Sequence, residues 1–424
     1  MQSSPTSLSE KFVTPINGAS VVASSNGNEN LRWKHISVSS VDGLISIIDE
    51  CASSGINLLC GEPQALPVES DLASQYVFVD LKPMNKILRH EAQDLVVSVQ
   101  TGITIGALNQ YLQGFGQWFP VAASSDAILL DLINCGYAGL LEHGFGTIRD
   151  NVLGLEVVTG GGAAIKTGGI VVKNVTGYDT TKLFVGSRAT LGIPHVAHLR
   201  LYASPERSAT LLFQANQPDE LITLANDLIK ADLSLVSCEL LDLGMLKKST
   251  RLNENLSKLA TTWQACGLLV RVSGHEELLK ELVPQICHFK NKDSSELELN
   301  SEDADRLLEL CSHLLFPRIE MSVSVSQARS ILSKWWKQKD KAAFQFRPST
   351  GRFQIISLDA TTHSDMAKSL REFTDAPNTV ALLSGPIEYR VDTVGTDLKK
   401  LTQIKASLKD KFDPARCLNP LAVL

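Results

Sequence analysis

Apolar and polar positions alternate along the chain in two different rhythms, separated near Ser204. In the first part, VDGLISIIDECASSG has the spacing of a helix ended by Gly55. INLLCG, QYVFVDL and DLVVSVQTG then read as three short strands, and TIGALNQYLQGFG as a helix stopped near glycine that leads into WFPVAAS. Short strands joined by one or two helices predict an α+β unit. No GxGxxG follows the first strand, so a Rossmann-type doubly wound sheet is excluded. Beyond Ser204 the pattern becomes a repeat of strand and helix: ATLLFQA with PDELITLANDLIKA, LSLVSCELLDL, GLLVRVSG with HEELLKELVPQIC, and RIEMSVSV running into SQARSILSKWWK. RFQIISLD, a helix around DMAKSLREF and NTVALLS complete it, which predicts an antiparallel sheet with helices on one face. A last helix is expected over 399–412, and the Ser-, Asn- and Gly-rich residues 1–30 are expected to form a flexible tail.

Composition narrows the function classes. A chain of 424 residues exceeds what one hydrophobic core usually supports, so two or three domains are expected. The formal net charge of −6 argues against nucleic acid or an anionic membrane surface as partner. The absence of an apolar run of about 18 residues, and of a basic-then-apolar start, predicts a cytoplasmic protein without direct membrane insertion, any contact with the inner face of a membrane being made through partners. Eight cysteines never form a CxxC pair or an iron–sulfur spacing and read as reduced, mostly buried small hydrophobes. The histidines form no HExxH; His195 and His198, three apart on an expected strand, would point to opposite faces, so no metal site is expected.

The most informative stretch is Gly168 to Ile193, GGIVVKNVTGYDTTKLFVGSRATLGI. Its first half is too rich in glycine and polar residues for an ordinary strand, whereas TKLF reads as a short helix and TLGI as the start of a strand. Glycines at this spacing let main-chain N–H groups approach a flat or anionic ligand with no Cβ in the way. The stretch resembles the FAD-linked oxidases, the family of bacterial glycolate oxidases, D-lactate dehydrogenases and vanillyl-alcohol oxidase, whose pattern is GG-x-VVKN-x-(A/T)-GYDL-x-KLFVGSEGTLGI. RDNVLGLEVVTGGGAAIKTGG from Arg149 and FDPARCLNPLAVL from Phe412 also match family signatures, in the family's order.

The resemblance implies a two-part PCMH-type FAD-binding domain over about 31–205, an α+β cap domain with an antiparallel sheet over 206–395, and a segment 396–424 returning to the first domain. It implies FAD held non-covalently, with Gly186, Thr190, Leu191, Gly192 and Ile193 alongside the flavin and Lys173, Asn174, Tyr178 and Asp179 in the loop nearby. Pro120 would open a second flavin loop ended by Gly136 and Gly139, Gly146 and Asp150 would form the next turn, Gly61 would remain from the first diphosphate loop, and Asn419 would be the Asn of the closing LNP.

Several positions depart from the family pattern. The first loop, roughly (R/Q)GGG(T/S), reads Leu59-Cys60-Gly61-Glu62-Pro63, which adds a carboxylate and removes an amide donor. The second, TIGGxxAxxxxG, reads Ile128-Leu129-Leu130-Asp131-Leu132. A carboxylate ~4 Å from a diphosphate in a partly buried site costs on the order of several kcal/mol. Ser-Glu-Gly-Thr becomes Ser187-Arg188-Ala189-Thr190, and no histidine-rich GDGNLH-like cap signature is present, STGRFQI standing in its approximate place. No catalytic residue is assigned. In this the chain resembles the smaller FAD-binding subunit of three-part glycolate oxidase, and the resemblance implies a catalytic flavoprotein and an iron–sulfur subunit as partners and a small 2-hydroxy acid as the substrate. Two readings stay open: an FAD-binding oxidoreductase subunit relaying electrons, or a flavin-less structural or regulatory partner.

Overall fold

The computed structural model describes residues 19–23, 34–60, 76–170, 179–243, 254–290, 295–312, 318–336, 342–357, 381–384 and 398–419. The first sheet combines β1 (Ala19–Ala23), β2 (Lys34–Val38), β3 (Asn57–Cys60) and β4 (Tyr76–Asp80) in the order β1-β2-β4-β3, with helix α1 (Val41–Ser54) between β2 and β3. β1 lies in the stretch expected to be a flexible tail. It is instead paired antiparallel with β2, Ala19 opposite Val38. The β2–β4 and β3–β4 pairs are parallel, which α1 permits by carrying the chain back across the sheet. Ser40 caps α1 through its side chain, and Gly55 ends it in the left-handed region at φ 66°.

The second sheet is antiparallel: β5 (Ile87–Glu91), β6 (Val96–Gln100), β8 (Val152–Thr159), β9 (Ala164–Gly168) and β10 (Gly192–Arg200), in the order β5-β6-β10-β8-β9. Between these strands run α2 (Ile105–Gln113), β7 (Gln117–Trp118), α3 (Leu129–Cys135), α4 (Glu142–Phe145), α5 (Ile148–Asn151) and α6 (Thr181–Phe184); β11 (Tyr202–Ala203) pairs with β7. One sheet face presents Val97, Val99, Leu155, Val157, Ala197 and Leu199 to Leu108 and Leu112 of α2 and Leu129, Leu132 and Ile133 of α3, all in one buried core.

The third sheet has eight strands in the order β15-β12-β14-β13-β17-β18-β16-β19, every described pair antiparallel. Its elements are β12 (Arg207–Ala215), α7 (Pro218–Lys230), β13 (Leu235–Asp242), α8 (Glu254–Ala260), β14 (Cys266–Gly274), α9 (Glu276–His288), β15 (Ser295–Leu299), α10 (Ser301–Ser312), β16 (Arg318–Ser322), α11 (Val325–Trp335), β17 (Ala342–Arg347), β18 (Arg352–Ser357) and β19 (Ala381–Ser384). Helices α7, α9 and α11 cover one face over Phe213, Leu240, Leu268 and Phe346, as the amphipathic spacing predicts. The other face packs on α8 and α10 through Leu212, Leu241, Leu256, Leu269 and Leu307, so the sheet is covered on both sides. The helix expected around DMAKSLREF lies outside the described residues. The last helix, α12 (Leu398–Phe412), returns to the second sheet, where Phe412 stacks edge-on against Phe184 at 5.4 Å.

Candidate cofactor site and cap junction

Two places where separate parts of the chain meet bring the candidate residues together. The first is the seam between the first and second sheets. After α12, Leu418 joins the free edge of β3 in parallel: Leu58 N donates to Cys417 O at 2.8 Å and Asn419 N to Leu58 O at 2.8 Å. Asn419 accepts from Cys60 N at 2.9 Å and donates through Nδ2 to the carbonyls of Cys60 and Arg188, which ties β3 to the 186–190 turn. Lys409 Nζ donates to Thr190 O and Leu418 O at 2.7 Å each and pairs with buried Asp413 at 2.6 Å. Beneath this polar stitching, Leu58, Cys60, Leu130, Val158, Ala189, Ile193 and Leu418 form one apolar cluster.

Residues 186–190 form a tight turn whose amides meet the end of α3. Gly186 N donates to Ile133 O and Arg188 N to Asn134 O, both at 2.8 Å. Gly136 ends α3 at φ 64°, and a Cβ there would stand 3.1 Å from Gly186 Cα, whereas at Gly186 it is the φ of 84° that favours glycine. Arg188 and Ala189 take positive φ without being glycine. Thr190 donates its hydroxyl to Ser187 O at 2.6 Å. Gly192 opens β10, where a Cβ would lie 2.6 Å from Val157 Cγ1; strand packing accounts for this glycine.

Of the residues expected at the site, Gly136, Gly186, Thr190, Gly192, Ile193 and Asn419 therefore gather at the seam. Pro120 and Gly139 lie on the other side of α3, where buried Pro120 follows β7 and Tyr137 donates to Ala122 O beside Gly139. Gly146 caps α4, and Asp150 closes a capping box on α5 by accepting from Thr147 N at 2.8 Å. Asp179 is exposed and caps the start of α6, accepting from Thr181 N at 3.1 Å. Gly61, Glu62, Lys173, Asn174 and Tyr178 lie outside the described residues.

The second loop takes a definite form, and the expected alternation of His195 and His198 is corrected. The second loop is helix α3 from Leu129, with Leu129 and Leu130 buried, because leucines in place of small residues gain free energy by entering the cores on both sides. His195 and His198 do not obey strict alternation: a β-bulge between Pro194 and Val196 inserts one residue, and both imidazoles feel Glu156 and Lys166. Burial holds both below the usual histidine range. His198 Nδ1 pairs with Ser98 Oγ at 2.8 Å.

The second place is the junction between α4 and the third sheet. Arg347 at the end of β17 is 2% exposed and bridges Glu239 of β13 and Glu142 of α4. Glu142 also accepts from Arg352 Nε at 3.1 Å, and Glu239 from Gln345 Nε2 at 3.1 Å. Two carboxylates thus face two guanidinium groups. Burial pushes Glu239 up to about 7, Arg347 pulling against it. Next to it, His143 is held below the usual histidine range by burial and by the Arg347 cation, and its Nδ1 is buried without a partner. Sequence reading missed Glu142, His143, Glu239 and Arg347, since nothing local marks a pair 108 positions apart.

Residues 35–168 match the FAD binding domain family. Glycolate oxidase subunit GlcD of Bacillus subtilis (strain 168) is 28% identical over 398 residues, 87% of this chain and 82% of that protein. The chain is similar to the FAD-linked oxidases, and residues 35–168 match their FAD binding domain. Glycolate oxidase subunit GlcE of Escherichia coli (strain K12) is 30% identical over 136 residues, 31% of this chain and 39% of that subunit. Among solved structures, alkyldihydroxyacetonephosphate synthase shares the fold at TM-score 0.66 and 13% identity, over 92% of this chain and 77% of that one. The family is one of FAD-dependent oxidoreductases, and FAD is its cofactor.

The residues present fit FAD unevenly. At the 186–190 turn, the side chains of Asn134 and Ser187 are buried with unpartnered polar atoms, as a polar cofactor requires. Along the second loop, Leu129 N donates to Ile103 O, Leu130 N to Thr101 O, and Asp131 N to Ile128 O, so those amides are already used. A diphosphate contact there is not offered. FAD, when bound, supplies a two-electron acceptor; this chain's own contribution is to shape the turn and close the seam against water. Among the described residues no helix is long and apolar enough to cross a membrane, and no group of three or more His, Cys, Asp or Glu could hold a metal ion.

Proposed function

We propose that this chain is an FAD-binding subunit of a glycolate oxidase-like complex, relaying electrons from the oxidation of a small 2-hydroxy acid beside a catalytic flavoprotein and an iron–sulfur subunit. The relatives named as subunits of glycolate oxidase support it. The observation that carries it is the pairing at the cap junction. Removal of hydride from an α-carbon needs a base and a clamp for the substrate carboxylate. Here Arg347 and Arg352 are both engaged by carboxylates of the chain itself, a poor arrangement for independent turnover. His143, whose proton affinity is lowered by burial and by the Arg347 cation and whose Nδ1 has no partner, is the base candidate this reading offers.

The test is to purify the chain alone and co-expressed with its neighbouring subunits, and to record an absorbance spectrum and glycolate- and D-lactate-dependent dye reduction. A flavin spectrum with dye reduction in the assembled complex and little in the isolated chain is expected. Turnover by the isolated chain at the complex's rate would defeat the subunit assignment. A second reading, a flavin-less structural or regulatory partner, is favoured by the used amides and buried leucines of the second loop. It predicts a colourless chain in both preparations.

A further inference from the structure

We propose that β5 is a self-association edge: two copies of this chain pair through it antiparallel about His90, joining their five-stranded second sheets into one. β5 ends that sheet, bonded on one side to β6 and on the other to no described strand. Gln100 N donates to Lys86 O and the next amide, Thr101 N, to His195 O of β10, so even positions along this strand bond β5 and odd ones β10. Arg89 and Glu91, opposite Ser98 and Val96, therefore use their backbone groups on β6. His90 between them turns its N–H and C=O to the open edge.

The charges select a second copy as the occupant. Arg89 stands before His90 and Glu91 after it, and exposed Lys86 and Asp94 continue the same order. An antiparallel twin centred on His90 sets residue 89 of one copy opposite residue 91 of the other, twice by symmetry, so each arginine meets a glutamate. A strand guarded against its own copies would carry one sign of charge, which such a twin would repel. In the single chain Arg89 and Glu91 pair with each other, and side-chain exposures of 59% and 37% leave both within reach of a contact across the axis. The other face of the strand adds apolar surface. The His90 ring meets Phe115 edge-on at 4.6 Å and Tyr111 of α2 at 5.6 Å, and His90 Nε2 is fixed by Gln117 Oε1 at 2.9 Å. Phe115 is 51% exposed, Tyr111 38%, and Leu88, at the bulge in β5, 52%. Large apolar side chains left in water together at one edge mark a contact surface.

The test is sedimentation velocity of the purified chain, alone and with its co-expressed partner subunits, over a range of concentrations. The parent should show a concentration-dependent dimer. Arg89→Glu sets glutamate against glutamate at both crossings, and Glu91→Arg sets arginine against arginine; each should weaken dimerisation about 10-fold. An equimolar mixture of the two variants restores both crossings and should dimerise as the parent does. Both side chains are exposed, so the variants should unfold close to the parent's temperature. A chain that is monomeric at every concentration in both preparations would overturn the proposal. So would a dimer that Arg89→Glu leaves as tight as the parent's, since its interface would lie elsewhere. Single variants that weaken the dimer with no recovery in the mixture would overturn the His90-centred register. Charge variants that instead release a partner subunit from a monomeric chain would assign the edge to a different protein and overturn the second copy as occupant.

Discussion

The seam between the first two sheets and the junction between α4 and the third sheet do the same job by opposite means. The seam is closed by Leu58, Leu130, Ala189, Ile193 and Leu418, with the carbonyls of Arg188 and Thr190 paired through Asn419 and Lys409. The junction with the third sheet is closed by two arginines and two glutamates, with Arg347 and Glu239 almost wholly out of water. Apolar burial adds stability roughly in proportion to area, about 25 cal/mol per Å2, and tolerates imperfect geometry. A buried ion cluster adds little net stability, since desolvation offsets attraction, yet it is strongly damaged when one member is lost. The seam therefore acts as a permanent joint, and the junction as one that depends on every partner and on pH.

The sharpest way to break this contrast is Arg347→Met, which leaves Glu239 and Glu142 buried without their shared partner. Urea unfolding should show a loss of about 3–5 kcal/mol, and adding Glu239→Leu should restore part of it. If the single variant lost under about 1 kcal/mol, the cluster would be solvated in solution and the contrast void. At the seam, Leu418→Ala should cost about 2–5 kcal/mol. Its loss should be the same at pH 5 and pH 8, because no charged group is removed.

The smallest effect concerns pH alone. Glu239 titrates at about 7 in the folded chain against an ordinary value of 4.5. Between these values the folded chain keeps a proton that the unfolded chain has lost, so its contribution is complete below 4.5 and is lost as pH rises through about 7. Glu239→Gln should flatten that part of the stability profile measured by thermal unfolding. A variant profile parallel to the parent's would show that another group sets the slope.

Local signals were legible in proportion to how local their causes are. Helix α1 with Ser40 and Gly55, and α7 with Pro218 at its start, follow from caps and spacing within a dozen residues. The glycines at 136 and 186 were legible as bare backbone, though not as partners of each other. The bulge at His195 was not, because one inserted residue leaves no mark on period-2 patterning. The conversion of the second loop into α3 depends on two cores that receive Leu129 and Leu130 from opposite sides. Asn134 and Ser187 stand out only once their neighbours' hydrogen bonds are counted.

The pairing of Leu418 and Asn419 with β3 also sets a clock on synthesis. Cys60 and Asn419 are 359 positions apart, yet they share hydrogen bonds at the edge of the first sheet. At roughly 5–20 residues per second, the ribosome exposes the β3 edge about 20–70 s before the segment that covers it is made. A newly made β3 is thus an open edge strand for most of translation, the interval in which a chaperone or a second nascent chain can reach it.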